Sequence, residues 1–362
     1  FTLTTLLMNF GFYQAGNRAI VMSDDKDHIK ELYGALFVIT ILIYIVMCIS
    51  IMLYSFYDQN LQEKGIDGLL RLILPIGFLF LLQKYFETLF QADNKIKLLA
   101  HSRIEYKLLF LLLTSLLFVF YFENDANKVL VIWILYAIAK AVSFSWVIIK
   151  VDMKFKKFTF WLSKVWQYNR SFGFDVYVGS IFAVGFSSLL AILISYFSET
   201  NSGVGYYSLA ITLASPLSFI PNVIATTNYR EFSKRKTIPK KLLMLTAVLS
   251  IIAIIGLWVI IDPFVTIFYG DEFSTVVQLT YIISLGVIFH GIADFFNRFL
   301  GSHGQGRFLR NSSFLVGFSV LVSGIILIPI YGEYGAAFSK MITGIIYIIV
   351  IVSYYIKHTN KL

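Results

Sequence analysis

One cysteine is all that this 362-residue chain contains, and Cys48 lies inside an apolar run. No intrachain disulfide can form, and cysteine usage says nothing about redox compartment. Charge is equally sparse. Asp, Glu, Lys and Arg make up 14% of the residues, against about 25% in soluble domains. No polar stretch is long enough for a soluble catalytic domain. A Walker-type phosphate loop is absent, which excludes nucleotide hydrolysis by that route. No set of His, Cys and Glu residues has metal-ligand spacing.

What the chain has instead is hydrocarbon. It is 58% hydrophobic, with a mean hydropathy of +0.76. A helix of about 20 apolar residues crosses the core of a bilayer, and runs of that length recur. The pattern predicts eleven spans, at 1–21, 32–57, 69–91, 107–122, 129–150, 173–198, 203–229, 241–262, 275–299, 312–330 and 335–356. Lys and Arg are unevenly placed between them. Of the 30, 24 sit in or beside alternate gaps, at 23–31, 93–106, 151–171, 230–241 and 300–311, and in the tail from Lys357. Lys64, Arg71 and Lys128 fall in the other gaps, and Lys84, Lys140 and Lys340 fall within spans. Positive residues stay on the cytoplasmic side of a membrane, so the basic gaps and the C-terminus are placed inside. The gaps near 58–68, 123–128, 199–202, 263–274 and 331–334 then face the exterior or periplasm. The net charge of +9 is largely this topology signal, with some attraction to anionic headgroups, and does not imply nucleic acid.

The same topology puts residue 1 outside. The chain opens at Phe1 in an apolar run, with no basic leader or cleavage site visible. A further span is therefore expected upstream, giving twelve with both termini inside. The longest polar gap follows the sixth of those spans. The expected organisation is an N-terminal lobe at 1–150 lacking its first helix, a basic amphipathic linker at 151–171, and a C-terminal lobe at 172–362. In the linker, Phe158, Trp161, Leu162, Val165 and Trp166 oppose Lys157 and Lys164, which suggests a helix in the cytoplasmic interface. A solvated linker is the alternative. The halves look weakly repeated: Arg230 follows Arg18 by about 210 residues, and the loop at Asp93–Arg103 matches Ser302–Arg310. Six spans per half preserve orientation, as in parallel-repeat transporters. The fold class is an all-α polytopic membrane protein, with eleven transmembrane helices of an expected twelve in two six-helix lobes related by a parallel pseudo-two-fold repeat.

Two polar motifs read as structure. The glycines of GSHGQGRF (301–308) form a tight cytoplasmic turn, with no strand before them. SDDKD (23–27) resembles a metal-binding DxD, but it sits where Ser and Asp cap a helix N-terminus.

The charges inside spans carry more information. An ionisable group at bilayer depth costs at least about 2.5–3.5 kcal/mol on insertion scales, and persists where it faces protein, a partner or a watery cavity. Lys84 and Glu87 are three apart and share a helix face. Lys140 is mid-span, with no carboxylate close in its own helix, and Lys340 lies in the last span. Asp175 sits near the cytoplasmic end of 173–198. His290, Asp294 and Arg298 are spaced four apart and form one stripe, and Arg18 is near the cytoplasmic end of the first span. At the repeat offset Lys84 falls on Asp294 and Glu87 close to Arg298, giving opposite-sign pairs on equivalent helices. They read either as inter-lobe salt bridges or as a cationic cavity with gating carboxylates. For the lysines the plainer alternative is snorkelling to the interface, for Arg18 and Arg298 headgroup anchoring, and for His290 a satisfied hydrogen bond rather than a proton relay. Pro75, Pro216, Pro221, Gly173, Gly179, Gly185 and Gly286 interrupt spans, as broken transporter helices do, or as passive kinks.

Specific strings then enter. They are GFYQAGNRAI (11–20), GYYSLA (205–210), PLSFIPNVIATTNYREFSK (216–234), FYGDEF (268–273) and LIPIYGEYGAAFSK (327–340). In this order they resemble the polysaccharide-transporter members of the multidrug/oligosaccharidyl-lipid/polysaccharide (MOP) superfamily, the Wzx-type O-antigen or lipid-linked oligosaccharide flippases. The resemblance covers the chain from that family's second helix onward and is strongest at YGEYGAAFSK and GYYSLA. It implies a V-shaped, MATE-like, twelve-helix transporter of the bacterial inner membrane with a cytoplasmic C-terminus. Such a protein moves an undecaprenyl-pyrophosphate-linked oligosaccharide to the periplasmic leaflet during O-antigen or capsular polysaccharide biosynthesis. It implies no cofactor beyond an ion gradient of H+ or Na+, and other polysaccharide-assembly membrane proteins as partners. Lys84, Lys140 and Lys340, with Arg18 and Arg298 at the cytoplasmic side, are the expected cationic-cavity residues. Glu87, Asp175, His290 and Asp294 are the expected gating or ion-coupling residues. Two other classes are weighed against this reading. A drug/ion antiporter of the same superfamily prefers an acidic cavity, against which the three lysines argue. A membrane polysaccharide polymerase or ligase needs a substantial external loop, and none is present.

Overall fold

The computed structural model describes residues 5, 7–57, 67–120, 128–197 and 202–360. The start of the first expected span, residues 58–66, 121–127 and 198–201, and with them Lys64, lie outside the described residues. Lipid offers no partner for backbone N–H and C=O groups, so each crossing segment must satisfy its own. The described residues accordingly contain helices and no strand, and each of the eleven expected spans is matched by helix. Six helical segments among them are long and apolar enough to cross a membrane, at 26–57, 131–151, 202–227, 240–269, 271–302 and 306–359. The chain divides into two compact units, Phe1–Phe174 and Asp175–Leu362.

The first unit contains α1 (Phe12–Val21), α2 (Lys26–Tyr57), α3 (Asp67–Leu72), α4 (Leu74–Ala92), α5 (Ile96–Phe120), α6 (Lys128–Val151) and α7 (Phe158–Tyr168). A π-helical turn, Asn169–Gly173, ends it. Helix α2 starts at Lys26 and α5 at Ile96, so most of the basic gaps expected at 23–31 and 93–106 is helical. A polar helix end can run on past the hydrocarbon, because its charged side chains are then in water. Asp25 caps α2, its Oδ1 accepting the Asp27 N–H at 2.8 Å, as the SDDKD reading required. The expected span 69–91 is broken at Ile73, between α3 and α4, and Pro75 occupies the first turn of α4, where a missing N–H is harmless.

The segment at 151–171 is built into the first unit. Val165 is fully buried, and the indole N–H of Trp161 donates to Glu31 Oε2 on α2 at 2.8 Å. The solvated-linker alternative therefore does not hold. Its end meets α1 backbone to backbone. A Cβ on Gly11 would lie 2.5 Å from the Gly173 carbonyl, and one on Gly173 would lie 2.4 Å from the Gly11 carbonyl oxygen. Gly11 also has a φ of 84°, so glycine is required there twice over.

The second unit contains α8 (Phe174–Phe197), α9 (Ser202–Ala214), α10 (Phe219–Thr227), α11 (Tyr229–Phe232), α12 (Lys240–Tyr269), α13 (Ser274–Ser302) and α14 (Gly306–Thr359). Helix α12 runs seven residues beyond its expected end, with Pro263 inside it, and Gly270 at φ 92° makes the turn. The GSHGQGRF turn is as expected: Gly304 has φ 72° between α13 and α14. Helix α14 is two spans meeting at Gly332, whose φ of 56° and ψ of −132° break the helix within YGEYGAAFSK.

Helix α13 is the centre of this unit. Its apolar window is 61% buried, against 17% for α12, which faces outward. Val276, Leu279, Ile283 and Val287 form the core with Tyr207, Ala210 and Leu217 from the α9–α10 span and with Ala336 and Ala337 of α14. Small residues let α13 and α14 approach closely, the usual device where lipid supplies no hydrophobic drive between helices. A Cβ on Gly286 would lie 2.6 Å from the Lys340 carbonyl oxygen, and one on Gly344 would lie 2.6 Å from the Gly286 carbonyl oxygen.

Candidate functional site

The three lysines expected within spans meet different surroundings. Lys140, on α6, is 0% exposed, and its ammonium has no hydrogen-bond partner among the described residues. It sits against three aromatic rings instead, 3.7 Å from the Phe80 centroid, 4.9 Å from Tyr136 and 5.1 Å from Tyr106. These rings come from α4, α6 and α5, so the cage ties three helices together. A ring face attracts a cation by about 0.5–2 kcal/mol, more where water is excluded. That attraction offsets part of the desolvation cost of a mid-span ammonium. Lys140 does not snorkel.

Lys84 and Glu87 share a face of α4, both half-buried. Glu87 accepts from Gln83 Nε2 at 3.0 Å and pairs with Arg103 of α5 at 3.4 Å. Arg103 was legible only as a loop charge; the continuation of α5 past the expected boundary brings it to Glu87. Arg18 lies on the last turn of α1, half-buried.

In the second unit the charges gather around a cavity of about 540 Å³. Lys340 of α14 and His290 and Asp294 of α13 line it, together with Tyr347. The α9–α10 span is broken by a 3₁₀ turn, Ser215–Ser218, with Pro216 in its first turn, and both serines reach the cavity. Of the interruptions expected from sequence, this is the one that shapes a wall. Asp294 accepts from the Tyr347 hydroxyl at 2.9 Å, and Tyr347 accepts from Asn297 Nδ2 at 2.8 Å. His290 Nε2 lies 3.5 Å from Thr343 Oγ1, and its ring is 5.4 Å from that of Tyr347. One turn beyond Asp294, Arg298 reaches Asn222 Oδ1 on α10 at 3.5 Å. The expected stripe of His290, Asp294 and Arg298 is thus continuous. Tyr347 was not among the expected site residues. The signal was present, because it lies seven residues, two turns, after Lys340 on the same face.

No hydrogen bond or ion pair to the Lys340 ammonium is recorded among the described residues, and Lys340 lines a space that holds one carboxylate, Asp294. The arrangement can hold an anion against Lys340, with serine, imidazole and phenol groups around it. Asp175 stands apart: it pairs with Arg310 of α14 at 2.6 Å, joining the two helices within this unit. Among the described residues no group of three or more His, Cys, Asp and Glu side chains comes together to hold a metal.

A family model described as polysaccharide biosynthesis protein matches residues 1–234. No curated protein matches the chain. Solved structures do. The MATE multidrug transporter DinF-BH superposes with a TM-score of 0.75 at 13% identity, covering 100% of this chain and 86% of that one. The Vibrio cholerae MATE transporter VcmN in its bent form gives 0.68 at 12% identity, covering 98% and 87%. The lipid II flippase MurJ, in an inward closed conformation, gives 0.54 at 13% identity, covering 99% and 80%. At these identities the likeness is one of fold.

Proposed function

The chain belongs to the polysaccharide biosynthesis protein family, a multi-pass membrane transporter of flippase type, and on that premise we propose that its cargo is a lipid-linked oligosaccharide. The carrier is undecaprenyl pyrophosphate, and the load passes from the cytoplasmic to the periplasmic leaflet by alternating access during O-antigen or capsular polysaccharide assembly. The observation that carries this reading is the second unit's cavity, with the Lys340 ammonium in it. A pyrophosphate crossing hydrocarbon needs a fixed positive charge in a protected space. Lys340 supplies it, and Arg298 adds charge one turn beyond the cavity wall. Lys84 and Arg18 are the first unit's contribution, whereas Lys140, sealed in its aromatic cage, holds helices rather than cargo. Asp294 and His290 couple the cycle to a gradient of H+ or Na+, and Glu87 and Asp175 act as gates through their pairs with Arg103 and Arg310. The protein resides in the inner membrane of a bacterium with its C-terminus in the cytoplasm, beside the enzymes that build and polymerise the repeat unit.

Asp294 favours one competing reading, because a carboxylate in a cavity suits the cationic substrates of a drug/ion antiporter. The Lys340 ammonium beside it, with no ion pair recorded among the described residues, opposes that role. In a strain lacking the gene, restoration of surface polysaccharide by the unaltered gene and its loss with Lys140→Ala, Lys340→Ala, at equal protein level, is the expected result. Full export by that double variant, or altered drug sensitivity with unchanged polysaccharide, would overturn the proposal.

A further inference from the structure

Helix α7 has features that transport by the second unit's cavity does not use. It lies across α1 and α2 with one face buried, and a hollow opens on each of its flanks. The first hollow, about 570 Å³, is almost wholly apolar. Thr159, Leu162, Ser163 and Trp166 line it from α7, spaced three and four apart, and Ile39, Ile43 and Val46 are among its walls from α2. The second, about 560 Å³, is basic and aromatic. Lys157, Lys164 and Tyr168 meet Ser23 and His28 there.

The charges of this face are not all available. Lys154 pairs with Asp27 at 2.8 Å, and Lys30 pairs with Asp152 at 2.5 Å. His28 lies 3.6 Å from Asp25. Lys157 and Lys164 have no recorded ion pair among the described residues, and they are the two that line the basic hollow. Two unneutralised ammonium groups in a concave, aromatic-walled space complement an anion.

The order of the hollows along α2 identifies the anion. His28 marks the basic hollow at the cytoplasmic end, and Ile39 to Val46 mark the apolar one, 11 to 18 residues further into the membrane. At 1.5 Å per residue the apolar hollow begins about 16 Å from His28, within the depth of about 20 Å from headgroup to midplane that the acyl chains of one leaflet occupy. We infer that the α7 face is a specific site for an anionic phospholipid of the cytoplasmic leaflet, with its headgroup phosphate against Lys157 and Lys164 and an acyl chain in the groove beside Leu162 and Trp166. A basic amphipathic helix with aromatic anchors suits such a surface. The site would tie the activity of the first unit to the charge of the leaflet from which the cargo is taken, and it stands whatever that cargo is.

The test is retention of phospholipid by the full chain in nanodiscs of phosphatidylcholine with and without phosphatidylglycerol, read by native mass spectrometry on release. The unaltered protein is expected to retain phosphatidylglycerol over phosphatidylcholine by at least about fivefold. The pair Lys157→Gln, Lys164→Gln should abolish that preference. The pair Lys236→Gln, Lys241→Gln, which removes the same charge from the second unit's basic loop, should leave it intact. Filling the groove with Ser163→Trp should lower retention of both lipids while sparing the preference for charge. Equal loss in both lysine pairs would reduce the effect to general electrostatics and overturn the site. So would an unchanged preference in Lys157→Gln, Lys164→Gln. Displacement of the retained lipid by undecaprenyl phosphate at equimolar concentration would reassign the site to the carrier and likewise overturn the inference.

Discussion

The two units each keep a lysine within a membrane-spanning helix and accommodate it by opposite means. In the first, Lys140 is sealed among Phe80, Tyr106 and Tyr136 with no hydrogen bond recorded. In the second, Lys340 opens onto a cavity of about 540 Å³ shared with Asp294, His290 and Tyr347. Ring faces stabilise the first cation by contact. The second lines a space that it shares with the Asp294 carboxylate. A residue type and a depth in the bilayer therefore do not fix a role. The first lysine sits where three helices meet, whereas the second faces a cavity.

The comparison can be broken most severely at Lys340. Lys340→Ala should lower lipid-linked oligosaccharide export by at least about tenfold, as removal of a desolvated charge contact costs 2 kcal/mol or more, with protein abundance unchanged. Export within twofold of the unaltered protein would place the anion elsewhere. Gly286→Ala comes next. The added methyl would meet the Lys340 backbone at 2.6 Å, and backbone cannot swing aside. Overpacking of this kind costs roughly 1–3 kcal/mol, so thermal stability in detergent should fall and export with it. An unchanged melting temperature would mean that α13 and α14 are less tightly apposed.

Smaller effects sharpen the first unit's side. Phe80→Leu keeps most of the volume and removes the nearest ring from Lys140. It should cost about 1 kcal/mol, seen as a lower melting temperature, and Lys140→Met in the same background should restore most of the loss. Without that restoration the cage is packing alone. The smallest effect belongs to the exposed pairs that clip 152–154 to α2. The hydrogen bond from Lys154 and its charge hold the Asp27 carboxyl below the usual carboxylate range, and the same bond holds the Lys154 ammonium above the usual lysine range. A depressed carboxyl contributes stability above its unfolded value and loses it as pH falls through the folded one. A raised ammonium contributes below its unfolded value and loses it as pH rises through the folded one. The clip therefore operates between about pH 4 and about pH 10. Asp27→Asn should lower the melting temperature slightly across that window and not at all in acid, where the carboxyl is already protonated, so the acid limb flattens; a shift as large in acid as at neutral pH would contradict this.

Much of the fold was legible because the bilayer leaves few choices. Apolar length gave the spans and loop charge gave their direction. The boundaries that moved, at α2, α5 and α12, did so where helices continue past the hydrocarbon, which hydropathy does not register. The site was legible in part. A charge within a span is visible in sequence, so Lys140, Lys340, His290 and Asp294 could all be named. Their surroundings could not. The cage needs Phe80, 60 residues before Lys140, and Asp175 finds Arg310 across 135 residues. Such meetings depend on how helices pack, and glycines like Gly286 permit that packing without announcing the partner.

The most direct test is equilibrium binding of an undecaprenyl-pyrophosphate-linked oligosaccharide to the chain in nanodiscs, comparing Lys340→Ala with Lys140→Met. An open cationic cavity in the second unit and a closed cage in the first predict that Lys340→Ala weakens binding by at least about tenfold while Lys140→Met stays within about twofold. Equal weakening by both variants, or none by Lys340→Ala, would contradict the account.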